Sequence, residues 1–236
     1  MTARQVVVES PGTFPRRAAA WLAETLSDAL TARGQCAIAL SGGTTPRPVY
    51  AALAAPDLAR GIDWSRVHVY FGDERAVPPG QVDSNFRMAM ESLLSRVAVP
   101  AAQIHRMEGE RPDLDAAAAA YDRLLPAALD VLVLGMGADG HTASLFPGST
   151  ALGERRRRVV VVDGPKPPTR RMTITPPVIA AARQVVVLAT GQEKAAAVAR
   201  ALDDHTPASD VPATLARHAV WFVDPAAAAQ LARPVT

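Results

Sequence analysis

Apolar residues along this chain fall into short runs separated by longer amphipathic stretches. The runs occupy residues 6–8, 36–40, 67–71, 131–134, 159–162, 172–174, 185–189 and 219–223. Runs this short, bounded by turn residues, read as strands buried on both faces. Between them the spacing turns helical. Over 14–30, Ala18, Trp21, Leu22, Leu26 and Leu30 fall on one stripe. Further helices are predicted over 46–53, with prolines in the first turn, and over 85–94, capped by Ser84 or Asn85. The Ala-rich stretch 113–125 and the stretch 192–202 are predicted helices as well. A last helix is expected to open at Asp224-Pro225.

Strand and helix alternate along most of the chain, which predicts an α/β fold with a mainly parallel sheet covered by helices on both faces. The Pro-rich basic stretch 165–171 is expected to be a loop at the edge of a small β-containing subdomain. No internal repeat or long linker interrupts the chain, so a single domain over residues 1–236 is expected.

Composition narrows the function classes. With 236 residues and 49% apolar content, the chain can bury a sizeable core. A net charge of only +2 argues against a dedicated nucleic-acid binder. The run Arg155–Arg158 has no aromatic interleaving and reads as a solvated loop or strand edge. The single cysteine, Cys36, lies in an apolar run and reads as a buried strand residue. No apolar run approaches the roughly 18 residues of a membrane span, and residues 1–9 are too weakly apolar for a signal peptide. A cytoplasmic protein, monomeric or weakly dimeric, acting on a small molecule is expected, without nucleic-acid or membrane partners.

Three loops follow buried strands. Ser41-Gly42-Gly43-Thr44-Thr45-Pro46-Arg47 follows the second run, Gly72-Asp73-Glu74-Arg75 the third, and Gly135-Met136-Gly137-Ala138-Asp139-Gly140-His141 the fourth. If the strands are parallel, all three leave the same sheet edge and can line one crevice. The first loop, feeding a helix N-terminus, looks like an anion cradle without the lysine of a Walker loop. An ordinary glycine turn would present the same residues. The second sets Asp73 and Glu74 beside Arg75, as a substrate site or as a local ion pair would.

The third loop contains a literal G-x-G-x-x-G, at Gly135, Gly137 and Gly140. A dinucleotide site requires a crossover helix next, and Pro147, Gly148 and Gly153 interrupt the segment where it would run. His141 has the place and the chemistry of a general base, with Asp139 as its orienting neighbour. The other histidines are scattered without metal-ligand spacing, so no metal is expected. There is no G-x-S-x-G elbow for a serine nucleophile. Arg171 and Lys194 are distal cations that would complete a phosphate site.

At these residues the chain resembles the glucosamine-6-phosphate isomerase/6-phosphogluconolactonase family. The likeness runs through Ser41 to Pro48, Gly72 to Arg75 with Asp83-Ser84-Asn85, Gly135 to Gly148, and Gly191 to Lys194. Within that family it looks like the lactonases. The deaminases carry Asn-Glu-Pro where this chain has Leu145-Phe146-Pro147, and Asp-Glu-Tyr where it has Asp73-Glu74-Arg75. The resemblance implies a Rossmann-like α/β sandwich, no cofactor, and hydrolysis of 6-phospho-D-glucono-1,5-lactone in the oxidative pentose phosphate pathway. Deamination of an amino-sugar phosphate, or sugar-phosphate binding without turnover, are the competing functions. The expected catalytic set is His141 as base, Asp139 orienting it, Arg75 on the oxyanion, and Asp73 orienting Arg75 or holding sugar hydroxyls. The expected substrate and phosphate set is Ser41, Gly42, Gly43, Thr44, Thr45 and Arg47, with Gly137, Arg171 and Lys194.

Overall fold

The computed structural model describes residues 4–231. Six strands form a parallel sheet: β1 (Gln5–Val8), β2 (Cys36–Leu40), β3 (Val67–Phe71), β5 (Val131–Gly135), β8 (Gln184–Ala189) and β9 (Val220–Val223). Their spatial order is β1-β9-β8-β5-β2-β3. From β2 the chain moves outward to β3. It returns to place β5 on the other side of β2, then continues outward through β8 and β9. The β2/β5 junction is therefore the switch point of the sheet, where open α/β folds place their ligands.

Each strand is apolar on both faces because each face is covered. On one side Ile38, Val69, Val133 and Leu188 pack against α1 (Phe14–Arg33) and α2 (Pro46–Leu53) through Leu22, Leu26 and Leu53. On the other, Leu132, Leu134, Val187 and Trp221 meet α5 (Leu114–Leu124) and α7 (Ala195–Leu202). That second layer also holds Met172 and Ile174 of a small antiparallel sheet. This sheet has three strands, ordered β4 (Asp73–Arg75), β7 (Arg170–Ile174) and β6 (Val159–Asp163). The mainly parallel α/β fold and the small β subdomain agree with the expectation from sequence.

Several details differ from the sequence reading. The second loop is not all loop: residues 73–75 form β4, because β7 supplies a ladder partner for three polar residues with no apolar signal. The 85–94 helix is α-helical over α4 (Asn85–Ala89) and widens to π geometry over Met90–Leu94. It starts where Ser84 Oγ accepts the Arg87 N–H. The 192–202 helix begins as a 3-10 turn over Gln192–Lys194. The expected last helix does not form among the described residues: 225–230 is a succession of turns. The Asp224 carboxylate does accept the Ala227 N–H, as a cap would, but it also accepts the Gly191 N–H across the sheet edge. Two short helices, α3 (Pro56–Ala59) and α6 (Pro176–Ala181), were not foreseen. No helix among the described residues is long and apolar enough to cross a membrane.

Candidate active site

The loops after β2, β3 and β5 meet at the switch point, joined there by the turn after β8. Ser41 ties the first loop to the third. Its Oγ accepts the Gly135 N–H at 3.1 Å, and its backbone N–H and carbonyl both bond the hydroxyl of buried Tyr50. Ser41 is thus spent on fixing the turn, and Gly42, Gly43 and Thr44 carry the backbone along the edge of a cavity of about 240 Å³. Gly43, at φ +107°, makes the turn that an L side chain would strain. Thr45, at the start of α2, bonds Thr190 Oγ1 and accepts the Lys194 ammonium at 3.3 Å. Burial lowers the Lys194 pKa, against the opposing pull of Glu193 and Asp224.

The second loop delivers a carboxylate and an arginine to the same cavity. Asp73 is buried, and both of its oxygens are occupied. Oδ1 accepts the Asn85 amide at 3.0 Å, and Oδ2 accepts the Ser144 hydroxyl at 2.6 Å. Its neighbour Glu74 is buried too, and accepts four donors: the N–H groups of Arg75, Asn85 and Phe86, and the Ser84 hydroxyl. Burial pushes the Glu74 carboxyl up in spite of these bonds. Glu74 thereby staples β4 to the first turn of α4, at the helix end where a negative charge is favoured.

Arg75 and Arg171 stand directly opposite each other in the β4–β7 ladder. Like charges in that relation repel, and both side chains line the cavity. Burial, reinforced by Arg75, lowers the Arg171 pKa. Arg75 gives one bond to the Asp83 carbonyl, while its buried Nε has no partner. Two opposed guanidiniums, one holding an unused donor, make a receptor for an anionic group.

The third loop supplies an imidazole paired with a carboxylate. His141 Nδ1 lies 2.6 Å from Asp139 Oδ1, and the same oxygen accepts the His141 N–H. Partial burial pushes the Asp139 carboxyl up, but the bonds and charge of His141 outweigh it and hold the pKa below the usual value. An ionised Asp139 accepts the Nδ1 proton and leaves Nε2 as the basic nitrogen. Gly137 permits this pair to stand against the backbone, since a Cβ there would overlap the imidazole and reach within 2.6 Å of the carboxylate. Gly140, at φ +82°, turns the chain between them. Ala143, which also lines the cavity, is a non-glycine residue with positive φ, +48°, a conformation found where a site imposes it.

The cavity thus gathers Ser41, Gly42, Gly43, Thr44 and Thr45 of the first loop. Asp73, Arg75, Gly137, His141, Arg171 and Lys194 complete it from the other elements. Two expected site residues lie outside. Asp139 stands behind His141. The Arg47 guanidinium points away from the cavity and pairs with Glu91 at 3.5 Å, both side chains being about half exposed. Asn85, Glu74 and Ser144 belong to the site through long-range bonds that the sequence does not signal, Asn85 reading there as a helix start. His68 of β3 and His105, read as scattered, meet at 3.2 Å with nearly parallel rings, and neither lines the cavity. The basic run is tied down locally: Glu154 accepts the N–H groups of Arg155, Arg156 and Arg157, which hold its pKa down to about 2. Arg158 bonds Asp122. Cys36 is buried, and that burial pushes its thiol up to about 12, which leaves it unreactive.

Known proteins resemble this chain throughout. A family model described as glucosamine-6-phosphate isomerases/6-phosphogluconolactonase matches residues 9–222. A 6-phosphogluconolactonase of Streptomyces coelicolor is 39% identical over 98% of this chain and 96% of its own length. One from Synechocystis sp. is also 39% identical, over 63% of this chain, and the match spans 62% of that relative's length. The solved structure of a 6-phosphogluconolactonase from Trypanosoma brucei superposes with a TM-score of 0.83 at 31% identity, covering 98% of this chain and all of the other.

Proposed function

The chain belongs to the glucosamine-6-phosphate isomerase/6-phosphogluconolactonase family, and we propose that it is an enzyme of the lactonase kind, hydrolysing 6-phospho-D-glucono-1,5-lactone to 6-phospho-D-gluconate. One observation carries the reading. A single imidazole, with its Nδ1 proton committed to a carboxylate, shares a cavity with three cations and one carboxylate already held by two donors.

The substrate phosphate lies on the backbone N–H groups of Gly42 to Thr44 at the start of α2, with Lys194 and Arg171 as charge partners. His141 Nε2 takes a proton from water as the oxygen attacks the lactone carbonyl. The carbonyl oxygen becomes an oxyanion, which the Arg75 guanidinium lining the cavity stabilises. The bond from C1 to the ring oxygen then breaks, and the imidazolium returns its proton to that oxygen. Water is consumed, the proton count closes and no oxidant or cofactor is required. Asp73 is a poor candidate base because both oxygens already accept hydrogen bonds. It fixes the geometry of Asn85 and the third loop.

Phe146 separates this chemistry from amino-sugar deamination, for which the resemblance implies a glutamate at that position. The test is an initial-rate lactonase assay on freshly generated substrate, with spontaneous opening in buffer subtracted. A glucosamine-6-phosphate deaminase assay runs beside it. Lactone turnover above buffer without ammonia release is expected; ammonia release without lactone turnover overturns the reading.

A further inference from the structure

Phe146 is buried, at 7% exposure, yet it belongs to neither hydrophobic core cluster. Two site groups lie against its ring. The ring centroid lies 4.8 Å from that of His141, with the planes inclined by 46°. On another side the Arg171 guanidinium carbon stands 5.6 Å from the same centroid, within the range of cation–π attraction. Arg171 is in turn tied to the β6–β7 turn, donating Nε to the Pro168 carbonyl at 3.1 Å and Nη2 to the Lys166 carbonyl at 3.2 Å. Gly164 opens that turn. A Cβ at Gly164 would come to 3.0 Å from both Arg171 Nε and Phe146 Cζ. One ring therefore touches the base, the cation and the glycine that makes room for the stack.

We propose that Phe146 is a positioning residue for the hydrolysis, one aromatic ring that sets the His141 imidazole and the Arg171 guanidinium in register with each other. The inference rests on the lactonase reading. A residue serving only to fill space would have been expected among the aliphatic groups of a core cluster. This one spends its burial on two groups that act on substrate. An aliphatic replacement loses the attraction to Arg171 and the flat wall against His141. A carboxylate in its place would pair with Arg171 and stabilise the imidazolium. The other charged groups around His141 are Asp139 on its own loop, Asp73 and Arg75 of β4, Arg171 of β7 and Lys194 after β8.

The experiment measures kcat, KM and their pH dependence for the full chain and for Phe146→Tyr, Phe146→Leu, Phe146→Glu and Gly164→Ala, with thermal unfolding of each. Phe146→Tyr keeps the ring and stays within about threefold of wild type, while Phe146→Leu loses about tenfold or more in kcat/KM, since small misplacements of reacting groups cost that much. The loss divides between kcat, through His141, and KM, through Arg171. Gly164→Ala, whose Cβ would press on both Arg171 and Phe146 from the β6–β7 turn, raises KM in the same direction and decides the matter if Phe146→Leu does not fold. In Phe146→Glu the acid limb of kcat/KM moves to higher pH. Wild-type kcat, KM and pH profile in folded Phe146→Leu and Gly164→Ala, whatever their melting temperatures, overturn the inference. A wild-type chain with no rate above buffer overturns the lactonase reading itself, a distinct result.

Discussion

His141 Nδ1 lies 2.6 Å from Asp139 Oδ1, and this oxygen also accepts the His141 backbone N–H at 3.1 Å. One carboxylate oxygen thus fixes the tautomer, the ring orientation and the loop conformation together. In Asp139→Asn the amide can donate to Nδ1, which places the ring proton on Nε2 and disables the base. The expected fall in kcat is roughly 10²-fold or more. Steady-state kinetics beside circular dichroism check this. Full kcat in folded Asp139→Asn contradicts the assigned role.

Gly137 makes the same pair possible. Its backbone carries no positive φ, so alanine is allowed there locally, and only the overlap with the His141 ring and Asp139 forbids it. Gly137→Ala should therefore lose kcat by at least about tenfold through displacement of the base while the protein still folds. Circular dichroism beside steady-state kinetics separates the two effects.

Lys194 should report phosphate recognition through protons. Its pKa is lowered by burial, so in the free protein its charge is lost as pH rises through that depressed value. A bound phosphate restores the charge. Binding of 6-phosphogluconate at alkaline pH should then take up a proton, seen in calorimetry as a dependence on buffer ionisation heat, and KM should climb at the alkaline end. Lys194→Met should abolish the uptake and raise KM roughly 10- to 100-fold, the loss of a charge-assisted bond of about 1.5–3 kcal/mol. Heat independent of buffer would exclude Lys194 from the phosphate site.

Arg47 provides the contrast. Its half-exposed pair with Glu91 is of the kind worth about 0–1 kcal/mol, and its side chain is outside the cavity. Arg47→Ala should leave KM within about twofold of wild type and barely move the melting temperature. Arg171→Ala should raise KM strongly. Equal effects of the two substitutions on KM would place the phosphate elsewhere.

The difference between these two arginines marks where sequence reading stops. Parallel strands buried on both faces announce themselves as apolar runs, so 131–134 and 67–71 were legible, and with them the edge where three loops must meet. His141 and Asp139 were legible because glycines around an acid and an imidazole have few other uses. Arg47 read as part of the cradle because it follows Thr45-Pro46, but α2 turns its side chain outward toward Glu91. Asp73-Glu74-Arg75 gave no strand signal, and nothing local says that Arg75 faces Arg171, nearly a hundred residues on. That pairing, and the four bonds that bury Glu74, depend on contacts between distant segments. The closing turns at 225–230 show the converse: cap and proline signals were present, but Asp224 had a second partner in Gly191.

The central claim is that His141 is the base of a lactone hydrolase. The most direct measurement is the initial rate of hydrolysis of fresh 6-phospho-D-glucono-1,5-lactone by the wild-type chain and by His141→Ala, each with buffer hydrolysis subtracted. Wild-type turnover well above buffer and a fall of roughly 10²- to 10⁴-fold in His141→Ala are expected, with the variant still binding 6-phosphogluconate. Wild-type turnover retained in His141→Ala would contradict the account.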